Sequence, residues 1–137
     1  MIKFVFGVVA SLGSMFAAGA YATGGDTATD DAKPFRPAYY ACVKASGGVT
    51  AALNDCIGTE HDFQDKRLNA AYQKLRKSMA DAQRTALRDE ERAWIASRDK
   101  ACAPDQDGGT GAMLDSNQCD LRETAQRAAA LEARLTR

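Results

Sequence analysis

The residues of this 137-residue chain best able to do chemistry are its four cysteines, Cys42, Cys56, Cys102 and Cys119. Thiolates could ligate zinc, but there is no C-x2-C pair, and the single histidine, His61, stands at no ligand spacing from any of them. Disulfides remain, and four cysteines allow three connectivities. A second group is the carboxylate cluster Glu60, Asp62 and Asp65. Paired acids hydrolyse glycosides, and Asp62 and Asp65 are neighbours on a helix, yet that chemistry also needs a sugar-holding cleft that raises one pKa. Nothing in the sequence points to such a cleft, so Glu60 and Asp62 read as a solvated helix start, where acids favour the helix dipole. His61 has no Ser or Cys partner in a recognisable arrangement and reads as an exposed helix residue. The run Asp105-Gln106-Asp107-Gly108-Gly109-Thr110-Gly111 invites comparison with calcium loops. An EF-hand needs an oxygen ligand at its fifth position and Gly at its sixth, where this run has Gly109 and Thr110. A repeat-type calcium turn needs Asp where Met113 stands. The expectation is no catalytic set, no metal and no cofactor.

Composition and the first residues set the compartment. Lys and Arg number 18, as do Asp and Glu, and this neutrality argues against a basic nucleic-acid binder and against an acidic tail protein. Met1-Ile2-Lys3 is a short basic start, Phe4 to Ala18 is apolar, and Ala20-Tyr21-Ala22 supplies small residues for a peptidase, so residues 1–22 read as a signal peptide. The apolar run falls short of the roughly 20 residues a membrane span needs. No cysteine follows it directly, so no lipid anchor is expected, and no stable membrane anchor remains after cleavage. Removing residues 1–22 takes away Lys3 and no acid, leaving 115 residues of net charge −1. A periplasmic or secreted protein follows, and its oxidising surroundings favour disulfides.

These residues must be positioned by helices. Residues 23–36 begin with a Gly-, Thr- and Asp-rich stretch and read as a disordered mature N-terminus, ahead of a helical domain over 37–137. Ala, Leu, Arg, Gln and Glu dominate and no stretch alternates with period two, which predicts an all-α fold of about four helices. The first spans Pro37 to Ala45 and stops at Gly47-Gly48. A second begins near Thr50; whether Gly58 breaks it is left open, because Thr59-x-x-Asp62 fits a capping box. Leu68, Tyr72, Leu75 and Met79 then share one face, followed by a stripe at Leu87, Trp94 and Ala101. A continuous rod from Thr59 to Cys102 would leave both stripes without a partner, so an antiparallel hairpin turning near Asp81-Ala82, with Asp81 as N-cap, is preferred. A loop from about Ala103 to Asp115 follows, and then a helix capped by Asp115 or Ser116, with Leu121, Ala125, Ala128, Leu131 and Leu135 facing the core.

On this frame Cys42 and Cys56 would lie about 21 Å apart on a single helix, far beyond disulfide reach, so the chain must turn between them if they pair. Gly47-Gly48 supplies that turn, as Pro104 and the glycines do between Cys102 and Cys119. The favoured pairing is therefore Cys42–Cys56 and Cys102–Cys119. The hairpin register also sets Asp65 opposite Arg98 and Asn69 opposite Trp94, which predicts a buried ion pair and an amide-to-indole hydrogen bond that specify register.

Cys42, Cys56, Glu60, Asp65, Leu68-Asn69, Tyr72, Leu75, Leu87, Glu90, Trp94, Arg98-Asp99, Cys102, Cys119, Thr124, Arg127 and Leu131, in that order, resemble the N-terminal domain of LprI-like lysozyme inhibitors. Glu90 stands where that family often has Gln, and the family's lipoprotein cysteine is absent. The resemblance implies a small, exported, disulfide-bonded helical domain and, as function, inhibition of lysozyme; it transfers no inhibitory residue. The expectation is a non-catalytic protein that occludes the cleft of a lysozyme-type peptidoglycan hydrolase. An adaptor or immunity protein bound to another envelope enzyme or toxin is the alternative, and a muralytic enzyme stands behind both. From Ala103 to Asp120 the chain has four Asp and no Lys or Arg, so Asp105, Asp107 and Asp115 form the candidate partner-binding loop.

Overall fold

The computed structural model describes residues 33–137, so the expected signal peptide and residues 23–32 lie outside the described residues. Four helices are present: α1 (Pro37–Ala45), α2 (Thr50–Ser78), α3 (Asp81–Ala101) and α4 (Gly109–Arg134). No strand occurs among the described residues, in agreement with the expected all-α class.

Local chemistry explains most boundaries. Pro37 opens α1, where a fixed φ and a missing N–H suit the first helical position. Gly47 and Gly48, at φ 58° and 81°, turn the chain into α2 through backbone that side chains disfavour. Gly58 does not break α2, which runs unbroken for 29 residues. The Thr59 hydroxyl donates back to the Asp55 carbonyl at 2.9 Å instead of capping a new helix. The hairpin turn is Met79-Ala80, with Asp81 inside the first turn of α3; Gln83 Oε1 accepts the Ala80 N–H at 3.0 Å, and Arg84 donates to the Met79 carbonyl at 2.9 Å.

α4 begins at Gly109, well before the expected cap at Asp115 or Ser116. Tethering explains the difference: the Cys102–Cys119 bond and a 2.6 Å hydrogen bond from Ser116 Oγ to the Cys102 carbonyl hold this segment against the end of α3. A Cβ at Gly108 would lie 2.4 Å from the Ala112 Cβ, so glycine there lets the first turn close. Leu135, assigned to the core stripe, is 39% exposed, because α4 ends at Arg134.

Side-chain pairs define the topology. Asn54–Asn117, His61–Thr124 and Arg67–Glu132 advance together along both helices, so α2 and α4 run parallel. Glu91–Arg127 and Arg98–Asp120 step in opposite directions, so α3 is antiparallel to α4 and forms the expected hairpin with α2. α2 and α4 lie alongside each other for most of their length, whereas α3 approaches either closely at few points. Small residues permit the close pair, since Ala71, Ala125 and Ala128 are all buried there.

Leu68, Ala71, Leu75, Leu87, Ala128 and Leu131 form one core, flanked by Tyr72, Met79 and Trp94. Leu87 and Glu91 are the buried residues of α3. A second cluster, Tyr39, Cys56, Ile57 and Leu121, lies towards the N-terminal ends of α2 and α4. Phe35 joins it edge-on to Tyr39 at 4.9 Å, so packing begins ahead of Pro37.

Candidate functional site

Both favoured disulfides are present, Cys42–Cys56 with Cα atoms 5.7 Å apart and Cys102–Cys119 with 5.5 Å. Because α2 and α4 are parallel, both bonds sit at the same end of the bundle. One closes the α1–α2 turn, where Val49 is 59% exposed, and the other closes the α3–α4 loop and first turns of α4, where Met113 is 48% exposed. One helical turn before the Asn54–Asn117 hydrogen bond on each helix lie Thr50, next to Val49, and Met113, which sets Val49 and Met113 at one end.

Charge is divided along the bundle. At the disulfide end, residues 33–62 and 93–120 contain eight Asp and Glu against five Lys and Arg, among them Arg36 paired with Glu60 and Arg98 paired with Asp120. Residues 63–92 and 121–137, towards the hairpin end, contain twelve Lys and Arg against seven acids. Asp105, Asp107 and Asp115 are all exposed, and none of them is in an ion pair. Asp105 Oδ1 accepts the Asp107 N–H at 3.1 Å, which turns the loop on itself. Among the described residues no group of three or more His, Cys, Asp or Glu side chains is placed to hold a metal ion.

The expected Asp65–Arg98 pair is corrected by the structure. Asp65 is exposed and its Oδ2 accepts the Asn69 amide at 2.9 Å, so Asn69 serves its own helix and not the Trp94 indole. Arg98 pairs with Asp99 at 2.7 Å and Asp120 at 3.7 Å, and its guanidinium lies 5.1 Å from the centre of the Trp94 ring. The partner helix differs from the expected one: α4, packed closely on α2, brings Asp120 and Arg127 to α3. Asp65, Asn69, Trp94 and Arg98 instead line one open groove between α2 and α3, of about 420 Å³.

The carboxylate cluster does not converge. Glu60, expected at a solvated helix start, is 1% exposed; it accepts the Arg36 backbone N–H at 3.2 Å, Arg36 Nε at 2.8 Å and the Gln64 amide at 2.6 Å. Asp62 faces a separate small groove between α2 and α4, and Asp65 faces the α2–α3 groove. The three carboxylates therefore share no common cleft of the kind a paired-acid site needs. His61 is half-buried and lies 3.4 Å from Thr124 Oγ1, a correction to its expected exposure.

Sequence reasoning missed two polar networks. Gln64, Arg67 and Glu132 extend the Glu60 site towards α4, and Arg127 binds Glu90 and Glu91 of α3. Burial alone would raise the Glu90 carboxyl, but hydrogen bonds from Arg127 and Arg134 outweigh it and hold the group below the ordinary carboxylate range. Burial likewise opposes charge on Arg127, yet Glu91 and Glu90 raise its pKa further. Arg36 and Glu60 stand 24 residues apart with no periodic relation, so no sequence signal links them.

The family described as Lysozyme inhibitor LprI matches residues 42–131, from the first cysteine to the buried Leu131. No curated protein and no solved structure matches the chain significantly. The match spans more than half of the chain and takes in both disulfides and the motif residues of all three long helices, so the chain belongs to the LprI family of lysozyme inhibitors.

Proposed function

We propose that this chain acts outside the cytoplasm, in a periplasm or secreted, as a non-catalytic protein that inhibits a lysozyme-type peptidoglycan hydrolase by occluding its substrate cleft. The observation that carries this reading beyond family membership is the disulfide end. There, two covalently closed turns present Val49 and Met113 beside unpaired Asp105, Asp107 and Asp115. Closed turns lose little conformational freedom on docking, apolar tips supply buried area, and acids steer a basic enzyme to this end. The chain's overall neutrality hides this polarity, because the excess of positive charge lies towards the hairpin end. Among the described residues no helix is long and apolar enough to cross a membrane.

The test is a cell-wall clearing assay with the oxidised chain lacking residues 1–22. Slower clearing at a modest molar ratio supports the reading. Unchanged clearing at large excess against several lysozyme types overturns it, and a pull-down from envelope extract that recovers a different protein would transfer the function to that partner.

A further inference from the structure

A second groove between α2 and α3, of about 430 Å³, lies beside the hairpin turn. It is lined by Tyr72 and Arg76 of α2 and by Asp81, Arg84, Thr85 and Arg88 of α3. Arg76 is its unusual member. The residue is half-buried, its Nε is buried without a hydrogen-bond partner, and it forms no ion pair. Every other half-buried arginine among the described residues pairs with an acid. A guanidinium withdrawn from water without a counter-charge is unfavourable. The Arg76 guanidinium lies 5.5 Å from the centre of the Tyr72 ring, which places it at the groove. Its two Nη atoms have no partner and are not buried, so a ligand can reach them even though Nε is closed off.

The opposite wall supplies two more guanidinium groups. Arg84 donates to the Met79 carbonyl and pairs with Asp81, whose side chain is 93% exposed, while Arg88 pairs with its exposed neighbour Asp89, which lies outside the groove. Such surface pairs contribute little and can be exchanged for a stronger anion. The lining itself sets three guanidinium groups against the single carboxylate of Asp81, an excess of two positive charges. A carboxylate ligand brings one negative charge and two oxygens, which a single guanidinium fork occupies. A phosphomonoester carries about −2 at neutral pH and three acceptor oxygens, so it can meet Arg76 from α2 and Arg84 and Arg88 from α3 together. At about 430 Å³ the groove also has room for the carbon skeleton that bears the phosphate, against the Tyr72 ring.

We propose that this hairpin-end groove binds a phosphomonoester, held by Arg76, Arg84 and Arg88. The excess of Lys and Arg over acids towards the same end adds to the attraction. Phosphomonoesters occur on soluble molecules and on lipid headgroups, and the test separates the two. The groove lies away from the acidic turns at the disulfide end, so the inhibition reading would survive its failure.

The oxidised chain is titrated by calorimetry with glycerol 3-phosphate, with acetate as the control, and is sedimented with phosphatidylcholine vesicles with and without phosphatidic acid. The expected result is saturable binding of the phosphate group, about tenfold tighter than acetate. Arg76→Lys keeps the charge but loses the fork, and Arg88→Gln loses the charge; each should weaken affinity about tenfold with unchanged urea melts. Arg92→Gln removes a positive charge of the same helix outside this groove and should leave affinity within about twofold. Sedimentation that needs phosphatidic acid and is lost in the same variants extends the ligand to a lipid headgroup, whereas binding of glycerol 3-phosphate alone confines it to soluble esters. No saturable binding of either, equal affinity for acetate, undiminished affinity in Arg76→Lys or Arg88→Gln, or an equal loss in Arg92→Gln would overturn the proposal.

Discussion

At one end of the bundle the Cys42–Cys56 and Cys102–Cys119 bonds close two short turns; at the other, Leu75, Leu87 and Leu131 hold the hairpin to α4. The disulfide end is acidic and carries exposed Val49 and Met113, while the hairpin end is basic and carries its charge in ion pairs such as Arg127 with Glu90 and Glu91 and Arg134 with Glu90. The difference has a physical origin. Long helices with leucines at helical spacing build a core by themselves, whereas turns rich in glycine and aspartate bury too little and depend on covalent closure. Covalent closure frees the surface residues of those turns from packing, which is the condition for using them in recognition.

The largest loss of stability is expected at the core. Leu87→Ala should lower stability by about 4 kcal/mol in urea melts, since Leu87 is 1% exposed and is the large buried apolar residue of α3. A loss near 1 kcal/mol would show that α3 contributes little to the hairpin end. Replacing Cys42 and Cys56 together by alanine should lower stability by about 3 kcal/mol, and an unchanged midpoint would deny the covalent account of the acidic end. Glu60→Ala removes the acceptor of Arg36 and Gln64 and should lower stability by about 2 kcal/mol. Asp65→Ala, on an exposed site, should change stability by less than about 0.5 kcal/mol; a loss of several kcal/mol would restore the buried pair with Arg98.

The smallest effect is on pH. Glu90 has a folded pKa held below its unfolded value, so its contribution is complete above the ordinary carboxylate range and disappears as pH falls through the lowered folded value. Acid melts of Glu90→Gln should therefore show a shallower loss of stability over that window. A slope identical to that of the parent chain would remove Glu90 from the acid response.

The helices were largely legible because their punctuation is local: Pro37, the Gly47-Gly48 pair and the leucine steps act within a few residues. Even the disulfide pairing followed from glycines that force the chain to turn. The start of α4 was not legible, since glycines near a helix end look the same as glycines in a loop until Cys102 and Ser116 tie the segment down. Nor was the close pairing of α2 with α4: Ala125 and Ala128 stood in the expected stripe of the last helix, but a stripe does not name the helix it faces, and Ala71 on α2 gave no signal. That pairing placed Asp120 and Arg127 beside α3 and left Asp65 on an open groove. At the acidic end the charges were visible in the chain, but Val49 and Met113 became part of that surface only once the parallel register was known.

The most direct measurement of the account is lysozyme clearing of cell walls in the presence of the oxidised chain, compared with a variant carrying Asp105→Asn, Asp107→Asn and Asp115→Asn. The parent chain should slow clearing, and the variant should melt at the same urea concentration yet inhibit more weakly, with less dependence on salt. Full inhibition by the variant, or none by the parent chain at large excess, would contradict it.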